Sequence, residues 1–163
     1  MSPADALPGL WDFCLELYAQ PEIEALCLRL QDEHQVNVLV LLWCAWLEVT
    51  GAQLTREQLA AAAEQTMGAS EQTLVPLRQV RRHIKNAGTF PTELVETVKE
   101  DVLRAELALE KYLLRKLEMA RPSSGCTAAS PPLDALVAEC RLEDSETWLG
   151  SLRRGAEQAM RSL

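Results

Sequence analysis

Six carboxylates crowd one stretch of the chain: Glu93, Glu96, Glu100 and Asp101, then Glu106 and Glu110. Carboxylates one helical turn apart are a donor pattern for divalent cations, as in di-iron helical bundles. Such bundles also need Glu-x-x-His pairs, and the two histidines here, His34 and His83, follow Gln31 and Val80 three residues back. No aspartate-rich diphosphate-binding motif is present. With Lys99, Arg104 and Lys111 interleaved, the carboxylates read as a solvated helix face paired at i,i+3 and i,i+4. The sequence implies no metal site and no cofactor.

A second polar constellation, Gln31, Asp32, His34 and Asn37, lies beside the strongly apolar run that carries Trp43. These five residues outline a candidate polar pocket able to orient a small ligand. The same residue types also build helix–helix turns, which is the more economical reading. The third constellation is basic. Arg78, Arg81, Arg82 and Lys85 recur at i, i+3, i+4 and i+7, a spacing that puts four cations on one side of a helix. Such a face can dock an acidic partner or a phosphate group, or pair with the chain's own acidic half, 1–77.

Few standard catalytic patterns are available to any of these groups. The chain has no Gly-x-Ser-x-Gly, no phosphate-binding glycine loop, no dinucleotide glycine pattern and no His-Glu-x-x-His. Five cysteines (Cys14, Cys27, Cys44, Cys126 and Cys140) never fall at Cys-x-x-Cys spacing. Cys14, Cys27 and Cys44 sit among leucines and aromatics, where a thiol acts as a small hydrophobe.

The elements that carry these residues are helical throughout. Leu10, Trp11, Cys14, Leu15, Leu17 and Tyr18 recur at helical spacing until Pro21, which suits the first position of the next helix. Val36 to Leu47 is apolar all round, the pattern of a central helix covered by its neighbours. Gly51 ends it, and Thr55 with Gln58 makes a capping box for an alanine-rich helix. Gly68 is expected to close that helix, and Ser70 to cap the one containing Leu74, Leu77, Val80 and Ile84. Thr92 opens the longest helix, which runs to Ala120 without Gly or Pro. Along it Val95, Val98, Val102, Ala105, Leu109 and Tyr112 follow heptad-like spacing, a seam through which two copies could pair as a homodimer. A Pro/Ser-rich stretch, 121–132, reads as a mobile linker. Beyond it, 133–163 reads as a helical tail bearing Trp148 and Leu152 on one side and Arg153 and Arg154 on the other. That tail has three possible homes: its own domain, a second copy, or another protein's groove.

The expected architecture is therefore an all-α bundle of about six to eight helices, with 1–120 as the main domain. The 163 residues carry a formal charge of −8. The charge is polarised: 1–77 hold two basic and eleven acidic residues, while 78–121 hold ten basic and seven acidic. An acidic chain is a poor ligand for nucleic acid or anionic membrane, so neither is expected as a partner. The sequence opens Met1-Ser2-Pro3-Ala4-Asp5, without the features of a secretory leader. The apolar run is too short to span a bilayer. A cytoplasmic location is the expectation.

From Leu17 to Leu47 the sequence reads Tyr18-Ala19-x-Pro21, then Cys27-Leu28-x-Leu30-Gln31-Asp32, then Leu41-Leu42-Trp43. With Pro76-Leu77-Arg78, Ile84-Lys85, Ala105-Glu106-Leu107 and Glu110, these pieces resemble a family of small proteobacterial proteins of unknown function. The resemblance covers roughly 10–118. It implies a helical fold and a proteobacterial cytoplasm, and supplies no chemistry. Where relatives tend to carry a Gly followed by Asp-Val-Asn, this chain has Gln35 and then Asn37-Val38-Leu39.

The sequence thus points to a non-enzymatic interaction or regulatory protein with an unidentified, acidic protein partner. Arg78, Arg81, Arg82, Lys85 and the tail around Trp148 are the expected partner-binding residues. The alternative is a small-molecule binder or unorthodox enzyme built around Asp32, His34 and Asn37.

Overall fold

The computed structural model describes residues 6–123 and 128–163. Among them are eight α-helices: α1 Leu10–Tyr18, α2 Pro21–His34, α3 Val38–Val49, α4 Arg56–Ala69, α5 Val75–Asn86, α6 Thr92–Met119, α7 Pro132–Cys140 and α8 Ser145–Ser162. No strand occurs among the described residues; the one β-like feature is an isolated antiparallel bridge between Leu54 and Ser130. The fold is all-α, with the long helix and the C-terminal helix where the sequence places them.

Apolar content all round makes α3 the axis of the fold. Leu39 through Leu47 are all buried, and α1, α2, α4, α6, α7 and α8 pack around them. Trp43 is wholly enclosed. Trp46 is almost so, and its indole N–H donates to the Pro8 carbonyl at 2.9 Å. Asn37 does not interrupt this helix but begins it: its side-chain oxygen accepts from the Leu39 and Val40 amides, satisfying donors that every helix start leaves open. The Thr55–Gln58 capping box forms as expected.

Gly68 and Ser70 do not separate two helices. Ser70 keeps right-handed helical angles, and a π turn, Ser70–Leu74, splices α4 into α5. Pro76 supplies a physical reason. A proline in an uninterrupted α-helix removes one amide donor and clashes with the carbonyl four residues back. Here that carbonyl belongs to Gln72, inside the wider π turn.

Residues 133–163 share the core of the rest. Leu133, Leu136, Trp148, Leu149, Leu152, Ala156 and Ala159 are buried in the same cluster as Leu10, Phe13 and Trp43. In the 121–132 stretch, Arg121 stacks over Trp46 at 5.0 Å and donates to Thr50. Ser130 exchanges two hydrogen bonds with Leu54. The middle of that stretch, with Cys126, lies outside the described residues, as does the opening Met1–Asp5.

The departure from this compact arrangement is α5. It buries no residue, and it packs on α6 and the π turn rather than on α3. In α6 the buried residues are Glu106, Leu113, Leu114 and Leu117, all in the C-terminal half. The C-terminal part of α6 is thus rooted in the body. Its N-terminal part and α5 form a helical hairpin, hereafter the arm.

Candidate functional site

The arm is fixed at its root by charge. Arg81 donates Nε to Glu106 Oε1 at 2.9 Å and Nη2 to Glu106 Oε2 at 3.2 Å. Arg78 donates to Glu110 at 2.9 Å and lies 3.8 Å from Glu106. The Glu106 side chain is only 6% exposed. Burial pushes the Glu110 carboxyl above its ordinary value, against the opposing pull of Arg78. Tyr18 on α1 is drawn into the same electrostatic neighbourhood. Its phenol is raised to about 12, first by burial and then by Cys27, Glu24 and Glu110, with Arg78 opposing.

This cluster changes the reading of the basic face. Arg78 and Arg81 are paired, but not with the acidic residues of 1–77. Their partners lie on α6, within the mildly basic stretch, so the polarised charge of the chain is not cancelled there. Glu106 and Glu110 are likewise not on a solvated face. The signal for this was in the sequence: both fall on the stripe of Val102, Leu109, Leu113 and Leu117 that α6 turns inward. Arg82 and Lys85 are exposed, and neither enters an ion pair among the described residues. Val75, at 39% exposure, lies two turns before Arg82 on the same side, while Val80 faces another side of α5.

The tail residues divide similarly. Trp148 and Leu152 are buried, and α8 packs on α1, α2 and α3 of its own chain. Arg153 bridges Glu48 on α3 and Asp134 on α7. Glu48 also accepts the Leu133 amide at 3.1 Å, which ties α3, α7 and α8 together. That role for Glu48 has no signature in the sequence, because it depends on a helix more than 80 residues away. Arg154 is exposed and donates to Ser151 on its own helix.

The residues of the expected polar pocket are not brought together. Asp32 and His34 are exposed near the end of α2, and Gln31 is half-buried. Asn37 caps α3 with its oxygen and donates its amide to Thr66 on α4 at 3.1 Å. Trp43 is enclosed, with its indole N–H unpartnered. A cleft of about 120 Å³ does open elsewhere, between α3, α7 and α8, lined by Ala45, Glu48, Val49, Leu133, Arg153, Ala156 and Glu157. It is smaller than the few hundred Å³ of an ordinary ligand pocket. A hollow of about 430 Å³ against Gln58, Ala62, Gln65 and Ala120 reaches that size but contains none of the expected pocket residues.

Among the described residues no group of three or more His, Cys, Asp or Glu side chains is placed to hold a metal ion. Nor are the buried thiols poised as nucleophiles. Burial raises Cys14 and Cys44 strongly, and Cys27 to about 12, while reactivity needs the thiolate.

Fold and site together define an all-α protein with one central buried helix and a charge-stapled helical arm. The match to known families falls on most of that structure. Residues 9–117, from α1 through nearly all of α6, match the family described as Protein of unknown function (DUF2390), and the chain belongs to it. No curated protein matches the chain, and no solved structure does.

Proposed function

We propose that the chain is a non-enzymatic protein–protein interaction or regulatory protein, and that the outward face of α5 receives an acidic partner. One observation carries this reading. The arm buries nothing of α5 in the core, yet an Arg–Glu cluster built on the nearly enclosed Glu106 holds it in place. A segment that contributes little to burial but is held rigidly is suited to presenting a surface. What it presents is Arg82 and Lys85, one turn apart, with exposed Val75 two turns before Arg82 on the same side. Cations around an apolar contact complement an acidic, partly apolar partner.

Several residues fall out of the interface under this reading. Arg78 and Arg81 support the surface from behind, and Trp148, Leu152 and Arg153 hold α8 on its own body. Arg154 remains available at a separate place. The buried, unpaired thiols Cys14, Cys27 and Cys44 support a reducing compartment such as the cytoplasm, and the proposal keeps the bacterial cytoplasm on that ground. The pocket alternative draws no support from the placement of Asp32, His34 and Asn37.

The test is charge reversal where no internal pair is broken. Arg82→Glu with Lys85→Glu is expected to abolish stoichiometric capture of a partner while leaving the circular dichroism spectrum unchanged. Undiminished capture by that variant, or no partner captured by the native chain, overturns the reading.

A further inference from the structure

We infer that a second copy of this chain docks on α6, antiparallel, along a flank distinct from the α5 face. Positions 94, 98, 101, 105, 108 and 112 repeat at alternating spacings of four and three, the seam of paired helices. They are Leu94, Val98, Asp101, Ala105, Ala108 and Tyr112. This row shares half-buried Val98 and exposed Ala105 and Tyr112 with the Val95–Tyr112 seam, whose other members face inward: Val95, Val102 and Leu109 are half-buried while α5 packs on α6. On the outer seam Leu94 is 44% exposed and Tyr112 55%, with Asp101, Ala105 and Ala108 exposed between them.

The choice of a second copy rests on self-complementarity. Pairing α6 antiparallel about position 103 sets Leu94 against Tyr112 of the other copy, Val98 against Ala108, and Asp101 against Ala105. Every seam residue then meets another seam residue, and the large side chains at the ends flank small ones in the middle. Charge follows the same symmetry. The exposed acids of α6 lie towards its N-terminus (Glu93, Glu96, Glu100, Asp101), and the exposed bases towards its C-terminus (Arg104, Lys111, Arg115, Lys116). In the antiparallel register Lys111 comes level with Glu93 of the other copy, and Arg104 with the other copy's Asp101, twice each by two-fold symmetry. Within its own chain Lys111 lies over Trp11 at 5.2 Å, and Arg104 pairs with Asp101 at 2.9 Å. A parallel pairing would set acid against acid.

The experiment is sedimentation velocity on the full 163-residue chain, from micromolar to near-millimolar concentration, for the native protein, Ala105→Glu and Ala108→Lys. Both alanines are exposed helix positions, so the variants are expected to keep native helicity. The native chain should form a dimer that weakens with added salt, and each variant should weaken it at least about tenfold. Register is read by cross-linking in a Cys126→Ser, Cys140→Ser background. Chains with Leu94→Cys should form disulfides with chains carrying Tyr112→Cys, and not with their own kind. A native chain that stays monomeric, a dimer indifferent to both alanine variants, or like-with-like cross-linking overturns the inference. None of these outcomes bears on capture through Arg82 and Lys85.

Discussion

Arg81 grips Glu106 with two parallel hydrogen bonds, of 2.9 and 3.2 Å, and shields a carboxylate that the rest of the arm leaves almost no route to water. A carboxylate this enclosed is tolerable because a planar guanidinium matches both its oxygens and Arg78 stands behind at 3.8 Å. The pair makes the arm a fixed object instead of two loosely joined helices.

Removing one half of that pair should be worse than removing both. Arg81→Ala leaves Glu106 buried and underpaired, and is expected to cost about 1–3 kcal/mol, below the roughly 3–5 kcal/mol of a fully buried pair because Arg81 is partly solvated. Arg81→Lys should recover little, since an ammonium cannot make the two-pronged contact. The double variant Arg81→Met, Glu106→Leu should recover most of the loss. Urea denaturation of the three variants measures this. A double variant as unstable as Arg81→Ala would show that the loss comes from the missing pair itself and not from a carboxylate left buried without a partner.

Glu110 gives the same cluster a pH dependence of predictable sign. Burial raises its carboxyl above 4.5 although Arg78 pulls it down. The folded chain therefore binds this proton more tightly than the unfolded chain does. Between 4.5 and the raised folded value, stability from this group falls as pH rises, and it is lowest above that window. Glu110→Gln removes the titration and keeps an oxygen for Arg78 to donate to. The variant's stability relative to wild type should be most favourable near neutral pH and should decline as pH falls towards 4.5. Denaturation curves at about pH 5 and about pH 7.5 decide the matter. A pH-independent difference would place the burial penalty elsewhere.

How far the sequence reveals this fold can be judged from the same residues. Helix type and position are local properties, so Pro21, the Thr55–Gln58 box and the uninterrupted run from Thr92 all mark real helix boundaries. Ser70 misleads because its capping chemistry is overruled by Pro76 six residues later, which a π turn accommodates. The basic face is legible as a spacing, but its division is not. Whether Arg81 is a ligand or a strut depends on where Glu106 sits, and that is a tertiary fact. Trp148 is the same case: an amphipathic helix after a Pro/Ser-rich stretch shows which face is apolar, never which surface covers it.

Gln35 is a small fault in an otherwise well-formed helix end. It has φ +54°, and its amide donates to Gln31 while the Val36 amide donates to Leu30. A left-handed conformation costs a side chain with a Cβ more than it costs glycine. Gln35→Gly is expected to raise stability by about 0.5–1 kcal/mol, read as a higher denaturation midpoint at unchanged slope. A loss instead would mean that the Gln35 side chain does something its exposure does not suggest.

Two glycines on α8 should respond in opposite directions to the same change. At Gly155 an added Cβ would sit 2.9 Å from Ile23 Cδ1 and 3.0 Å from Gln20 Oε1, and Gln20 already donates to the Gly155 carbonyl at 3.0 Å. The close approach of α8 to the start of α2 depends on that missing methyl. Gly155→Ala should therefore destabilise by about 1–3 kcal/mol, because overpacking outweighs the gain in helix propensity. At Gly150 the nearest atom to an added Cβ is the Arg154 guanidinium at 3.4 Å, the far end of a flexible side chain. Gly150→Ala should stabilise by about 0.5–1 kcal/mol through helix propensity alone. Thermal denaturation of the two variants side by side is the check, each serving as the other's control. If Gly155→Ala also stabilised, α8 would not be seated on α2 as closely as this, and the anchoring of the tail would need another origin.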